Sequence, residues 1–387
     1  MRRLKLNQHH LEKKWRPNFR QHLLLRAATL TGKDAVDSWL RWKKLEGITK
    51  IDWNSRTLLP KIYKNVYEQD YSDELKILMK GLFRKTWYKN QDLFSSVDPV
   101  LRKLDQDCQK ALLFNGAGMI LSCYEGLGHR VMTRIDVLIS PKKTKDVVRL
   151  LNNLGWSSKK HFPPSDDMEL TDFPFGIGFH HSRGQEIRLF GYTLPEAFDR
   201  DSEEELWAGA VSIRHKNSKV QVMSPSDQIL YSCATAVNWN AQPKLSSLMD
   251  AIVLVKKYEK VIDWERVRLQ AIKRRIILSV SSVLGFLKEG FDLDVPVEEF
   301  ARSRINKISK LESQELKLKM LRIPILHNML KYWFVFKRLE LRSATDPVKF
   351  QILSFFAYLK NIWGLDHVRQ IPLYFLSKIT QLKTRFP

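Results

Sequence analysis

The sequence predicts an α+β protein: a small mixed sheet in the middle of the chain, flanked by helical regions on both sides. Three observations predict it. Apolar residues recur at helical spacing through the first hundred residues, short alternating runs are confined to the stretch from about Ala111 to Val222, and the pattern beyond Ser224 is helical again. The expected division is an N-terminal helical region over 1–107, an α/β core over 108–223 and a C-terminal helical region with a basic, aromatic tail over 224–387. A chain of 387 residues is long enough to bury at least one full core.

Taken in order, Leu23, Leu24, Ala27 and Ala28 lie at helical spacing, and a longer pattern runs through Leu75, Ile77, Leu78, Leu82, Trp87 and Leu93. Ala111 to Phe114 is a short apolar run closed by Asn115-Gly116, which reads as a strand and a turn. Val131 to Ile139 alternates as a second strand does, and Ser140-Pro141 starts a new helix. Val147, Val148, Leu151 and Leu154 lie on one face of that helix, with Gly155 placed to cap its end. Glu186 to Tyr192 is a third strand, with Ile187, Leu189 and Gly191 on one side and Arg188, Phe190 and Tyr192 on the other. After the acidic patch Asp199 to Glu205, the run Val211 to Val222 supplies one or two more strands. Ser224-Pro225-Ser226-Asp227 has the residues of a helix start: an N-cap serine, a proline in the first turn and an acid that complements the helix dipole. The longest uncharged apolar run, Ile276 to Leu287, falls short of the roughly 20 residues that span a bilayer and reads as a buried helix.

Composition bounds the function. Hydrophobic residues at 44% and aromatics at 11% exclude a disordered polymer, and 65 Lys and Arg against 42 Asp and Glu leave a net charge of +23. Such an excess implies an anionic partner, which could be nucleic acid, nucleotide, anionic lipid or an acidic polymer. The cysteines Cys108, Cys123 and Cys233 are too few and too scattered for a disulfide framework, which suggests a reducing cytoplasm. The N-terminus, with Arg2, Arg3, Lys5, Lys13, Lys14, Arg16 and Arg20, is basic without the apolar stretch of a signal peptide. From Arg302 onward, 17 Lys and Arg stand against 5 Asp and Glu, interleaved with Tyr332, Trp333, Phe334, Phe336, Phe355, Phe356, Tyr358 and Trp363. This tail could pack its aromatics on the core and solvate its lysines, lie on an anionic membrane surface, peripheral to the inner membrane, or bind nucleic-acid backbone.

The central unit has a recognisable order: strand, Asn115-Gly116-Ala117 turn, helix, a strand carrying Arg134-Ile135-Asp136, and a later strand carrying Arg188. It resembles nucleotidyltransferases of the polymerase-β type. More closely, the chain resembles the uncharacterised nucleotidyltransferase family found often in bacterial gene clusters for surface polysaccharide or peptide natural products. The resemblance runs through Leu23-Leu24-Leu25-Arg26-Ala27-Ala28, Thr57-Leu58-Leu59-Pro60, Thr86-Trp87-Tyr88-Lys89-Asn90-Gln91, Gly116, Arg130, Arg134-Ile135-Asp136-Val137-Leu138-Ile139 and Gln185-Glu186-Ile187-Arg188-Leu189. It continues through Ser224-Pro225-Ser226-Asp227-Gln228-Ile229-Leu230, Asp250, Asp263-Trp264 and Ile371-Pro372-Leu373. For an active member it implies Mg²⁺ and a nucleoside triphosphate, with two acids one residue apart on a strand and a third on the neighbouring strand. Acids at i and i+2 project from one strand face and can share divalent ions.

The departures fall on those acids. Where the family reads Lys-Gly at the turn this chain has Asn115-Gly116, where it reads Asp-Ile-Asp this chain has Arg134-Ile135-Asp136, and where it reads Asp-Leu-His-Trp this chain has Arg188-Leu189-Phe190-Gly191. Asp136 alone remains as catalytic carboxylate and candidate metal ligand. A divalent ion roughly 4 Å from a guanidinium is repelled by several kcal/mol even at an effective dielectric near 20, and arginine cannot deprotonate to escape. Ordinary two-metal transfer is therefore not expected, and no cofactor is assigned. Instead Arg134 and Arg188, with Arg130 and His129 at the mouth and Asn115, Gly116, Ala117 and Glu186 around them, are expected to bind a nucleotide or other phosphorylated ligand directly. A plainer reading has Arg134 pair with Asp136, Glu186 or Asp166 and fill a disused site. An active transferase using Glu186 or Asp166 as substitute acids, and a nucleic-acid-binding or RNA-modifying relative, are the other readings.

Two further clusters read plainly. His180 and His181, with His161, Asp166, Asp167 and Glu169, are expected on a proline-rich loop and lack the repeated spacing of a metal site. Cys123 has no evident base beside it and reads as a small buried hydrophobe.

Overall fold

The computed structural model describes residues 14–45, 47–68, 71–107, 109–158, 170, 173–321, 324–340, 348–375 and 377. Seven strands form one sheet: β1 (Ala111–Phe114), β2 (Ile135–Ile139), β3 (Trp156–Ser158), β4 (Ile177–His181), β5 (Glu186–Phe190), β6 (Val211–His215) and β7 (Ser218–Val222). Their order is β3-β4-β5-β2-β1-β7-β6. The sheet is mixed, because β2 runs parallel to β5 and β1 parallel to β7 while β1 and β2 are antiparallel. Helices precede and follow it, so the α+β architecture stands.

Period-two alternation sorts the sheet into two faces. Leu113, Ile135, Val137, Ile187, Leu189, Phe179 and Val222 turn into the main apolar cluster, which extends from Trp15 to Met320. The helix Lys76–Gln106 lies against this face, burying Phe94, Val97, Val100, Leu101 and Leu104. Leu112, Phe114, Leu138 and Phe190 turn the other way and pack with Leu206 and Met223 in a second cluster. Asp136 belongs to this second face, one pleat from Leu138.

Helix boundaries follow local chemistry. The helix Thr144–Asn153 ends before Gly155, whose φ of +80° is the left-handed conformation that glycine adopts freely. Ser224 caps the helix Pro225–Ala236, its hydroxyl accepting from the Asp227 amide. The helix Ile277–Phe291 is buried along most of its length, and among the described residues no helix is long and apolar enough to cross a membrane. In the tail, the helices Pro324–Glu340 and Val348–Trp363 pack aromatic on aromatic, with Trp333 and Phe336 against Phe355 and Tyr332 against Trp363.

Three expectations about strands need correction. The second strand begins at Ile135 rather than Val131, and the Val131 carbonyl accepts from Arg130 Nη1 instead of a neighbouring strand. The third ends at Phe190 rather than Tyr192. His180 and His181, expected on a loop, sit on β4, a strand whose period is hidden by Gly178 and by having only Ile177 and Phe179 as inward residues.

Candidate functional site

Strand register places the charged residues. Asp136 of β2 pairs in register with Arg188 of β5, which in turn pairs with Gly178 of β4. Extending the same register two residues back brings Arg134 level with Glu186, and Glu186 pairs with His180. Four charges therefore alternate in a square: Arg134 and Glu186 in one row, Asp136 and Arg188 in the next. Arg134 Nε donates to Asp136 Oδ1 at 2.7 Å, and Arg188 Nη2 donates to Glu186 Oε1 at 2.7 Å.

Asp136 is 4% exposed and its second oxygen is also engaged, accepting from Asn115 Nδ2 at 2.9 Å. Asn115 can reach it because it leaves β1 with φ +53°, a left-handed conformation that asparagine tolerates better than most residues. Gly116 and Ala117 are buried behind it. A Cβ on Gly116 would lie 2.8 Å from Met132 Cγ, so this glycine admits the loop that leads into β2. Gly178 plays the same part beside β5, where a Cβ would lie 3.2 Å from Glu186 Oε1 and 3.8 Å from the Arg188 guanidinium.

The square is neutral in sum but not in presentation. Asp136 is its buried member and the Glu186 side chain is 20% exposed, whereas the Arg134 and Arg188 side chains are 30% and 31% exposed. Each arginine spends one nitrogen on its carboxylate; among the described residues the remaining nitrogens have no acceptor, and Arg188 Nε is both buried and unsatisfied. Burial works against the Arg134 charge, but Asp136 and Glu186 more than offset it and hold its pKa above the usual value. Two residues that sequence reasoning missed feel the charges of the square. Tyr231 is pushed up by burial and then by Asp136. Half-buried Lys244 is brought down to about 8, by burial first and then by the Arg130 guanidinium, and it also feels Asp250, Asp136 and Arg134.

Arg130 is a correction. Expected at the cleft mouth, it lies in the interior, where Nε and Nη2 grip Asp250 at 2.9 and 3.0 Å. A lone acid inside the apolar run Leu248-Met249-Asp250-Ala251-Ile252 was the available signal for such a buried partner. His129 is likewise interior, packed near Phe83 and Tyr124, and its pKa falls to about 4 through burial and then the nearby Lys61 and Lys64.

The residues do not fit a pair of divalent ions. Among the described residues no group of three or more His, Cys, Asp or Glu could hold a metal, and Glu186, the described substitute acid, is paired with Arg188. Asp166, with His161, Asp167 and Glu169, lies outside the described residues. His181 contacts Trp156 from the opposite face of β4 to His180. Cys123 and Cys233 are buried, and burial pushes the Cys123 thiol up to about 12, away from nucleophile chemistry; Cys108 lies outside the described residues.

A family model described as "Uncharacterised nucleotidyltransferase" matches residues 53–292, more than half of the chain. The chain belongs to that family. Within this nucleotidyltransferase-family chain, the matched span contains the whole sheet and the charge square. Among solved structures, an antigenic nucleotidyltransferase-like protein from Paracoccidioides brasiliensis matches with 14% sequence identity and a TM-score of 0.34, covering 54% of this chain and 95% of that one. No curated protein matches.

Proposed function

We propose that this nucleotidyltransferase-family protein binds a nucleotide or another phosphorylated ligand directly, with nucleotidyl transfer lost or altered. One observation carries the reading: both oxygens of Asp136, the retained carboxylate, are hydrogen-bonded, to Arg134 and Asn115, and its register neighbour is Arg188. Two guanidiniums stand where a two-metal site needs acids. At about 4 Å and an effective dielectric of about 20, each would oppose a divalent ion by roughly 8 kcal/mol. The same forked donors suit phosphate oxygens, which would accept from the spare nitrogens of Arg134 and Arg188 while Asp136 and Glu186 hold those side chains in place. Lys244 adds a third positive group. A role in assembling a surface glycan or natural product is the pathway this reading favours, through the family.

The test is equilibrium binding of ATP, CTP and UTP in EDTA and in Mg²⁺, followed by incubation of labelled nucleotides with Mg²⁺ or Mn²⁺ and cell extract. Binding that persists in EDTA and is lost on Arg134→Ala, with no Asp136-dependent label transfer, is expected. Label transfer that requires Asp136 would restore an active transferase with substitute acids, and no nucleotide binding under either condition would leave the square as a filled, disused site.

A further inference from the structure

Away from the charge square, a pocket of about 390 Å³ opens between the segment Ile48–Pro60, the helix Lys76–Gln106 and Val131. Its volume lies within the usual range for small-molecule sites. Leu78, Leu82, Lys85, Thr86 and Lys89 line it from one helix, at spacings of four, three, one and three residues that put them on a single face. Trp53 and Leu78, two large apolar side chains left 68% and 47% exposed, lie on its walls, so the cavity accounts for apolar surface that the core does not bury. The charged lining residues are Arg56, Lys85 and Lys89, all exposed; no acid lines the cavity, and among the described residues none of the three has an ion-pair partner. The Arg56 Nε–H donates to the Ile51 carbonyl, which fixes the guanidinium beside the opening.

We propose that this pocket binds a small amphipathic organic anion, its apolar chain or ring seated against Trp53, Leu78 and Leu82 and its head group held by Arg56, Lys85 and Lys89. Apolar walls supply affinity in proportion to area removed from water, and an acid-free cationic rim selects the charge of the head. An uncharged amphiphile would leave the three cations without a counter-ion, and a bare anion would leave the walls wet. Only a molecule with both parts satisfies the site.

Calorimetric titration of the full chain with decyl phosphate, kept below its micelle concentration, tests this against 1-decanol and inorganic phosphate. One decyl phosphate per chain is expected, at least tenfold tighter than either control. Lys85→Gln with Lys89→Gln should weaken decyl phosphate about tenfold and leave decanol unchanged. Thr86→Phe, which fills the pocket, should weaken both amphiphiles; the surface pair of lysine variants keeps the test valid if Thr86→Phe does not fold. Equal affinity for decanol and decyl phosphate, insensitivity to the lysine pair, or loss of binding in Arg134→Ala/Arg188→Ala instead would overturn the proposal. The last outcome would place the ligand in the charge square, so this inference can fail while the proposed function stands.

Discussion

Two arginine–carboxylate arrangements a few residues apart have opposite consequences. Arg130 and Asp250 have side chains 7% and 4% exposed, and each Arg130 nitrogen has an acceptor, so that pair is closed. Arg134 and Arg188 also touch carboxylates, yet about a third of each side chain faces solvent and most of their donors are free among the described residues. The difference teaches that an arginine's role is set by how many of its donors the fold consumes. A buried pair with all donors used holds the fold, whereas a half-exposed one is held by the fold and remains able to bind.

The largest expected effect breaks the closed pair. Asp250→Ala strands a buried guanidinium and should cost about 3–5 kcal/mol in urea unfolding, whereas Glu186→Gln should cost less than about 1 kcal/mol. Comparable losses for the two would erase the distinction between them. Next, Arg134→Ala or Arg188→Ala should each weaken ATP binding in EDTA by roughly 10- to 100-fold, as expected for losing a charge-assisted contact of about 1.5–3 kcal/mol, while the melting temperature moves little. A large melting shift with unchanged affinity would assign these arginines to the scaffold with Arg130.

The smallest effect concerns Lys244, whose amine feels the charges of Arg130, Asp250, Asp136 and Arg134. Its pKa of about 8 means that it is mostly charged at pH 7 and mostly neutral at pH 9.5. Only the ammonium attracts an anion, so binding takes up a proton and ATP affinity should fall several-fold as pH rises through about 8. Lys244→Met should flatten that profile at the weaker level. A profile unchanged by the substitution would remove Lys244 from the site.

The sequence made the sheet legible at the apolar run Ala111 to Phe114 and where alternation was clean, at Glu186 to Phe190 and Val211 to Val222. It concealed β4, where Gly178 breaks the pattern for a reason seen only in space: it makes room for the Glu186–Arg188 pair. The square itself was half legible. Spacing put Arg134 and Asp136 together, and the structure adds that Arg188 is level with Asp136 and that Asn115 takes the second carboxylate oxygen. Arg130 was misplaced because its partner lies 120 residues along the chain, a contact that no local pattern encodes. Lys244 had no signal at all, since it follows Pro243 in an irregular turn and meets the site only through the helix that it begins.

Titration of Mn²⁺ followed by electron paramagnetic resonance tests most directly whether guanidiniums have replaced metals here. The account predicts no tight Mn²⁺ site in the wild-type chain, with or without ATP, and the appearance of one in Arg134→Asp/Arg188→Asp. A tight wild-type Mn²⁺ site abolished by Asp136→Asn would contradict it.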